Sequence, residues 1–242
     1  MQREWYTTLI RLFTQMKPYI TEELWKLSPH LEPRFDEQTQ VVTIDNFFAN
    51  AEDIHEHLST RPVPMWKYNS ERDSRNGIDY NDCRVVDFVG HPTRLYENSI
   101  ETMKQICRRY WNKANYHCNS NIEVNCFQPL AVTDNKYQHY PHTDSELATA
   151  DDMSTLNLIV YLDKIEDGGT AVYGGEWIWN AEHQNLLYPV EELFTIDHII
   201  PAKFNRCVIF PGNRLHGAYI NDYSKYKDTW RYSYVRFFHP TL

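Results

Sequence analysis

His142 and Asp144 stand two residues apart in the segment Tyr137-Gln138-His139-Tyr140-Pro141-His142-Thr143-Asp144. In an extended segment, side chains at i and i+2 leave the same face. That spacing sets an imidazole beside a carboxylate, as two ligands of one metal ion require. A third ligand has to come from elsewhere, and His216 is the candidate. It follows the apolar run Cys207-Val208-Ile209-Phe210 and the turn Pro211-Gly212-Asn213, which places it at a strand edge. Two His and one carboxylate on one face of a metal leave the other positions open, a donor set suited to iron(II) chemistry with dioxygen. The neighbouring His139 reads as a structural residue.

A second chemical group lies near the C-terminus, in Trp230-Arg231-Tyr232-Ser233-Tyr234-Val235-Arg236-Phe237-Phe238. The run is strongly β-forming yet holds two arginines. Arg231 and Ser233 share one face by parity. An arginine is rarely buried unless paired, and a guanidinium beside a hydroxyl can hold a carboxylate in a bidentate, charge-assisted way. Arg236 falls on the opposite face, as a surface or a structural residue.

The elements that must position these groups follow from the apolar pattern. The 242 residues suffice for one domain with a sizeable core, read as an N-terminal helical extension over residues 1–38 ahead of a main domain over 39–242. Trp5, Leu9, Leu12, Phe13 and Met16 form a helical stripe within that extension. Val41 to Ile44 reads as a strand and Ala51 to Leu58 as a helix. Cys83 to Val89 reads as a strand, and Tyr96 to Tyr116 as a helix with a stripe of Ile100, Met103, Ile106, Cys107 and Tyr110. From Ile122 onward short strands take over: 122–127, 156–162, 171–173, 198–200, 207–210 and 231–238. Gly-Gly and Pro-Gly turns separate them. Helices first and many short strands afterwards indicate an α+β or mainly β chain, a jelly roll with its supporting helices mostly N-terminal. Residues 62–82 and 176–195 read as a long loop and an insertion, where loops on a rigid scaffold supply selectivity.

Composition bounds the function. The formal net charge of -9 argues against nucleic acid as the main partner, since phosphate binding needs a cationic face. Aromatic content of 14%, including 17 Tyr, fits a folded chain with amphipathic pockets. The five Cys form no CxxC pair, so neither a disulfide framework nor a structural zinc site is expected. Scattered thiols fit a reducing cytoplasm. No run is apolar and long enough for a membrane span or a leader peptide.

In their order along the chain, these segments resemble the Fe(II)- and 2-oxoglutarate-dependent dioxygenase superfamily, in the style of its prolyl 4-hydroxylase-like branch. The pattern of that family is HxD, a distal His, then Arg or Lys followed by x-Ser. Here it reads His142-Thr143-Asp144, His216 and Arg231-Tyr232-Ser233. Val41 to Phe48 is similar to the family's entry strand and following helix. Val160-Tyr161-Leu162 with Asp167-Gly168-Gly169-Thr170 is similar to the strand and Gly-Gly turn after the first ligands. Two departures stand out: Asn205 replaces a usual Gly, and a polar insert at 221–228 lengthens the gap between His216 and Arg231.

The resemblance implies a double-stranded β-helix (jelly roll, cupin-like). It implies an iron(II) site of His142, Asp144 and His216, which are both the catalytic and the metal residues. It also implies 2-oxoglutarate and O2 as cosubstrates, with Arg231, Ser233 and Tyr161 binding 2-oxoglutarate. The product set would be succinate, CO2 and a hydroxylated small molecule or peptidyl residue. The alternative is a jelly-roll binding or structural module that keeps a metal without turnover. A membrane partner is not expected; a homodimer is compatible with the N-terminal helices.

Overall fold

The computed structural model describes residues 24–60, 67–68, 83–88, 94–111, 116–118, 122–127, 137–138, 143–144, 155–174, 188–189, 195–226 and 231–240. The expected N-terminal helix, His142, and most of the 62–82 loop and the 176–195 insertion lie outside these residues.

Two antiparallel sheets carry the domain. The strands are β1 (Arg34–Asp36), β2 (Val41–Ile44), β3 (Lys67–Tyr68), β4 (Cys83–Phe88), β5 (Tyr116–Cys118), β6 (Ile122–Phe127), β7 (Tyr137–Gln138) and β8 (Leu156–Tyr161). They continue with β9 (Gly169–Gly174), β10 (Tyr188–Pro189), β11 (Thr195–Pro201), β12 (Arg206–Pro211), β13 (His216–Tyr219) and β14 (Arg231–Pro240). The larger sheet runs β1-β2-β12-β8-β14-β6-β4-β3, with β5 also pairing with β14. The smaller runs β11-β9-β13, and β7 pairs with β10 beside β13.

Strand β8 shows why its sequence lacks the usual polar alternation. Leu156, Leu158 and Val160 join the core beneath α1 (Ala51–Ser59) and α2 (Arg94–Trp111), together with Ile54, Leu58, Met103, Ile106 and Cys107. On the other face Ile159 and Tyr161 pack with Val172 and Ile200 of the smaller sheet and with Val208 and Phe210 of β12. Both faces are covered, so both must be largely apolar. Helix α1 buries Ala51, Ile54 and Leu58 along one stripe and carries Glu52 and Asp53 in its first turn, where the helix dipole favours them.

The structure sharpens three expectations. Helix α2 ends at Trp111, not at Tyr116, which opens β5 and pairs with Pro240 of β14. Pairing with a strand distant in sequence has overridden the local helical pattern there. The boundary at 38/39 falls inside the β1–β2 hairpin, where Asp36 pairs with Val41. Trp25 is buried in the main core and Leu27 bridges to Phe48, so residues 24–38 are built into the domain. For Arg236, expected as a surface or a structural residue, the structural alternative holds: it is buried on the helix-facing side, where its Nε donates to Tyr234 Oη at 3.0 Å. Desolvation lowers its pKa to about 9.

Two turns fix the spacing of the layers. Gly168 has φ +66, and a Cβ there would lie 2.2 Å from Tyr219 O; a Cβ on Gly169 would lie 2.0 Å from Ile200 O. Only glycine lets this turn press against β13 and β11 at once. Asn205 also has a positive φ of 59. Its side chain accepts from Phe48 N at 2.8 Å and donates to Phe48 O at 2.9 Å, pairing like one more strand residue. Among the described residues no helix is long and apolar enough to cross a membrane.

Candidate metal and anion site

His216 opens β13 directly after the Pro-Gly turn, and it is 4% exposed. Its Nδ1 lies 2.7 Å from Arg214 O. A carbonyl only accepts, so Nδ1 carries the proton and Nε2 presents a lone pair in the neutral ring. Phe210 packs edge-on against the ring at 4.9 Å between centroids. Thus strand, turn carbonyl and aromatic wall together aim Nε2.

Nε2 points at Asp144, with Nε2 and Oδ2 3.1 Å apart. Burial alone would lower the imidazole's pKa; the carboxylate's charge and the bonds to Asp144 and Arg214 outweigh it, so the net shift is upward. Asp144 does not sit in the extended strand that the spacing suggests, because β7 ends at Gln138. Its backbone N–H donates instead to Gly212 O at 2.9 Å, and Gly212 N donates to Thr155 O at 2.7 Å. Main-chain bonds therefore tie the Asp144 segment, the turn before His216 and the start of β8 into one unit.

These atoms fit a divalent cation. Neighbouring ligand atoms of an octahedral site with bonds of about 2.1 Å lie about 3.0 Å apart, close to the 3.1 Å between Nε2 and Oδ2. Among the described residues no cluster of three His, Cys, Asp or Glu converges on a metal-sized point. The structure brings together two of the three expected ligands.

Asn157 of β8, which the sequence reading passed over, lies against both. Its Nδ2 is 2.6 Å from Asp144 Oδ2 and 3.3 Å from His216 Nε2. The residue is 1% exposed, and its Oδ1 is buried without a hydrogen-bond partner. An unpaired buried acceptor costs about 1–3 kcal/mol. The sequence signal for it was a single amide within the apolar run Leu156 to Tyr161.

Farther along the same inner face, Tyr161 pairs with Ser233 of β14. Tyr161 Oη lies 2.7 Å from Thr170 Oγ1 and 3.5 Å from Ile200 O. Burial raises its pKa and outweighs the opposing Arg231 charge, so the phenol stays neutral. Arg231 is 8% exposed, with its Cζ 5.7 Å from the centre of the Tyr161 ring. Its Nη2 donates to Gly169 O at 2.8 Å. Among the described residues no carboxylate lies within ion-pairing distance of it. A buried guanidinium with only a neutral acceptor is a ready anion site. Asn125 of β6 pairs with Ser233 in register.

The polar insert closes this end. The 3₁₀ turn Tyr223–Tyr226 is held by Asp167, whose Oδ2 accepts from Asn221 N and Asp222 N at 2.9 Å each and whose Oδ1 accepts from Lys225 Nζ at 2.8 Å. Tyr226 is buried against Ile220.

The same architecture occurs in solved oxygenases. The non-heme alpha-ketoglutarate-dependent carbocyclase SnoK from nogalamycin biosynthesis superposes with a TM-score of 0.52 at 15% identity, over 85% of this chain and 82% of SnoK. HygX from Streptomyces hygroscopicus, solved with nickel, 2-oxoglutarate and hygromycin B bound, gives 0.50 at 13% identity, over 84% of each chain. No family model and no curated protein matches the chain. The chain thus has the double-stranded β-helix fold of 2-oxoglutarate and iron(II) oxygenases.

Proposed function

We propose that the protein is an iron(II)- and 2-oxoglutarate-dependent dioxygenase of the prolyl 4-hydroxylase-like branch. It hydroxylates a C–H bond of a small molecule or a peptidyl residue. The observation that carries this reading is that the described residues include both halves of the chemistry: a metal-ligand pair, Asp144 and the smaller sheet's His216, and a buried arginine of the larger sheet, Arg231, without an anionic partner among the described residues. His142, Asp144 and His216 are the metal ligands. Bound iron(II) supplies the activation of dioxygen, with one oxygen atom passing to succinate as CO2 leaves and the other to the product.

The chain's own residues bind, orient and exclude water. Arg231 takes the distal carboxylate of 2-oxoglutarate, with Ser233 beside it and Tyr161 Oη positioned by Thr170. Phe210, Ile159 and Val172 form the apolar wall between the metal pair and the anion site. Low polarity there strengthens each charge-assisted bond. His216 keeps its proton on Nδ1 through Arg214 O, leaving Nε2 for the metal.

The test is an anaerobic titration of the iron(II)-loaded protein with 2-oxoglutarate. A visible charge-transfer band and, in air, succinate formation are expected. No band at saturating cosubstrate would favour the jelly-roll module without turnover.

A further inference from the structure

Asn157 belongs to the strand, not to the ligand motif, yet it is the residue whose side chain touches both metal-ligand candidates described. We infer that Asn157 is a positioning residue that holds Asp144 and His216 at ligand spacing, an inference that rests on the metal-site reading above. Three observations carry it.

First, the amide nitrogen faces the carboxylate oxygen Asp144 Oδ2, which only accepts, and in the neutral His216 ring, with its Nδ1 proton on Arg214 O, Nε2 accepts as well. The amide can therefore serve both only with its N–H groups. Second, its carbonyl oxygen is left buried and unpartnered, packed toward Gly212. A rotation by half a turn would put that oxygen against the carboxylate, so the orphan is the consequence of aiming the nitrogen at the ligands. Third, the turn before His216 is shaped to the amide. A Cβ on Gly212 would come 2.9 Å from Asn157 Oδ1 and 3.3 Å from Thr155 O. The glycine is there to let the amide stand where it does.

In the metal-free protein the two N–H groups meet the two ligand atoms much as a cation would. With a metal on these ligands the longer contact, to His216 Nε2, would be given up, and the 2.6 Å bond would remain to fix the carboxylate's rotation. The role is orientation: Asn157 neither reacts nor ligates.

The test titrates the full chain with Mn(II) alone, which needs no dioxygen and no turnover, and follows the metal by electron paramagnetic resonance. Asn157→Leu keeps the volume and removes the N–H groups. The expected result is Mn(II) affinity at least tenfold weaker than wild type, with the metal-free unfolding midpoint little changed. If Asn157→Leu does not fold, Gly212→Ala displaces the same amide from the other side and is expected to weaken Mn(II) binding several-fold. Unchanged or tighter binding in whichever variant folds overturns the inference, because the amide would then be idle or standing in the cation's way. Wild-type protein that binds no Mn(II) overturns the metal-site reading as well.

Discussion

Arg231 donates from Nη2 to the carbonyl oxygen of Gly169 at 2.8 Å, across the gap between the larger and smaller sheets. That bond makes the Gly-Gly turn and the guanidinium one unit. The turn cannot shift without moving the arginine. Arg231→Met should raise the dissociation constant for 2-oxoglutarate by about 30- to 100-fold, the equivalent of about 2–3 kcal/mol for lost charge-assisted bonds. Arg231→Lys should recover part of this, since the charge remains and the planar fork does not. Calorimetric titration with cosubstrate distinguishes the two.

Asp144→Ala removes a ligand but leaves the backbone bond from residue 144 to Gly212 O in place. The variant should fold, bind iron(II) far more weakly and form no succinate on addition of substrate. Turnover at the wild-type rate in this variant would contradict the site.

Asn205 combines a left-handed backbone with two hydrogen bonds to Phe48. Asn205→Ala loses both bonds and strains the backbone, and should destabilise the fold by about 2–3 kcal/mol in urea denaturation. Asn205→Gly relieves the strain and should cost about 1–2 kcal/mol. The order of the two variants is the decisive result, since propensity alone favours alanine.

Asp45 binds Arg206 Nε at 2.7 Å and Lys203 Nζ at 3.0 Å. The Arg206 hydrogen bond, then Lys203, holds its pKa at about 2 against the opposing effect of burial. A folded pKa below the unfolded one means the carboxylate stabilises the fold above pH ~4 and loses that contribution as pH falls toward 2. Asp45→Asn should therefore flatten the acid side of the stability profile in this window, by on the order of 1 kcal/mol after allowing for solvent screening. A profile of unchanged slope between pH 4 and 2 would remove Asp45 from the acid response.

Much of the sheet was legible because its signal is local. The apolar runs at 156–161 and 206–211 are strands within a residue of their expected limits, and the Pro-Gly turn does deliver His216 to a strand start. His142, Asp144 and His216 are expected together from spacing and from the resemblance; of these, Asp144 and His216 lie 3.1 Å apart between Oδ2 and Nε2. The route was not legible: Asp144 is placed by a bond to Gly212 rather than by a strand of its own. Tyr116 was misread because its partner, Pro240, lies at the other end of the chain. Asn157 was passed over because parity says which face a residue takes but not what it meets there. The orphaned carbonyl that betrays its role exists only in three dimensions.

The bonds from Asp144 N to Gly212 O and from Gly212 N to Thr155 O belong to the main chain. Replacing the side chain at 144 or 155 leaves both bonds available, unless the substitution is proline at 144, whereas at 212 an added Cβ would press on Asn157 Oδ1 and Thr155 O. The path of the chain at Asp144 is thus inherited through the backbone and through one glycine, and tolerates drift in the side chains elsewhere around it.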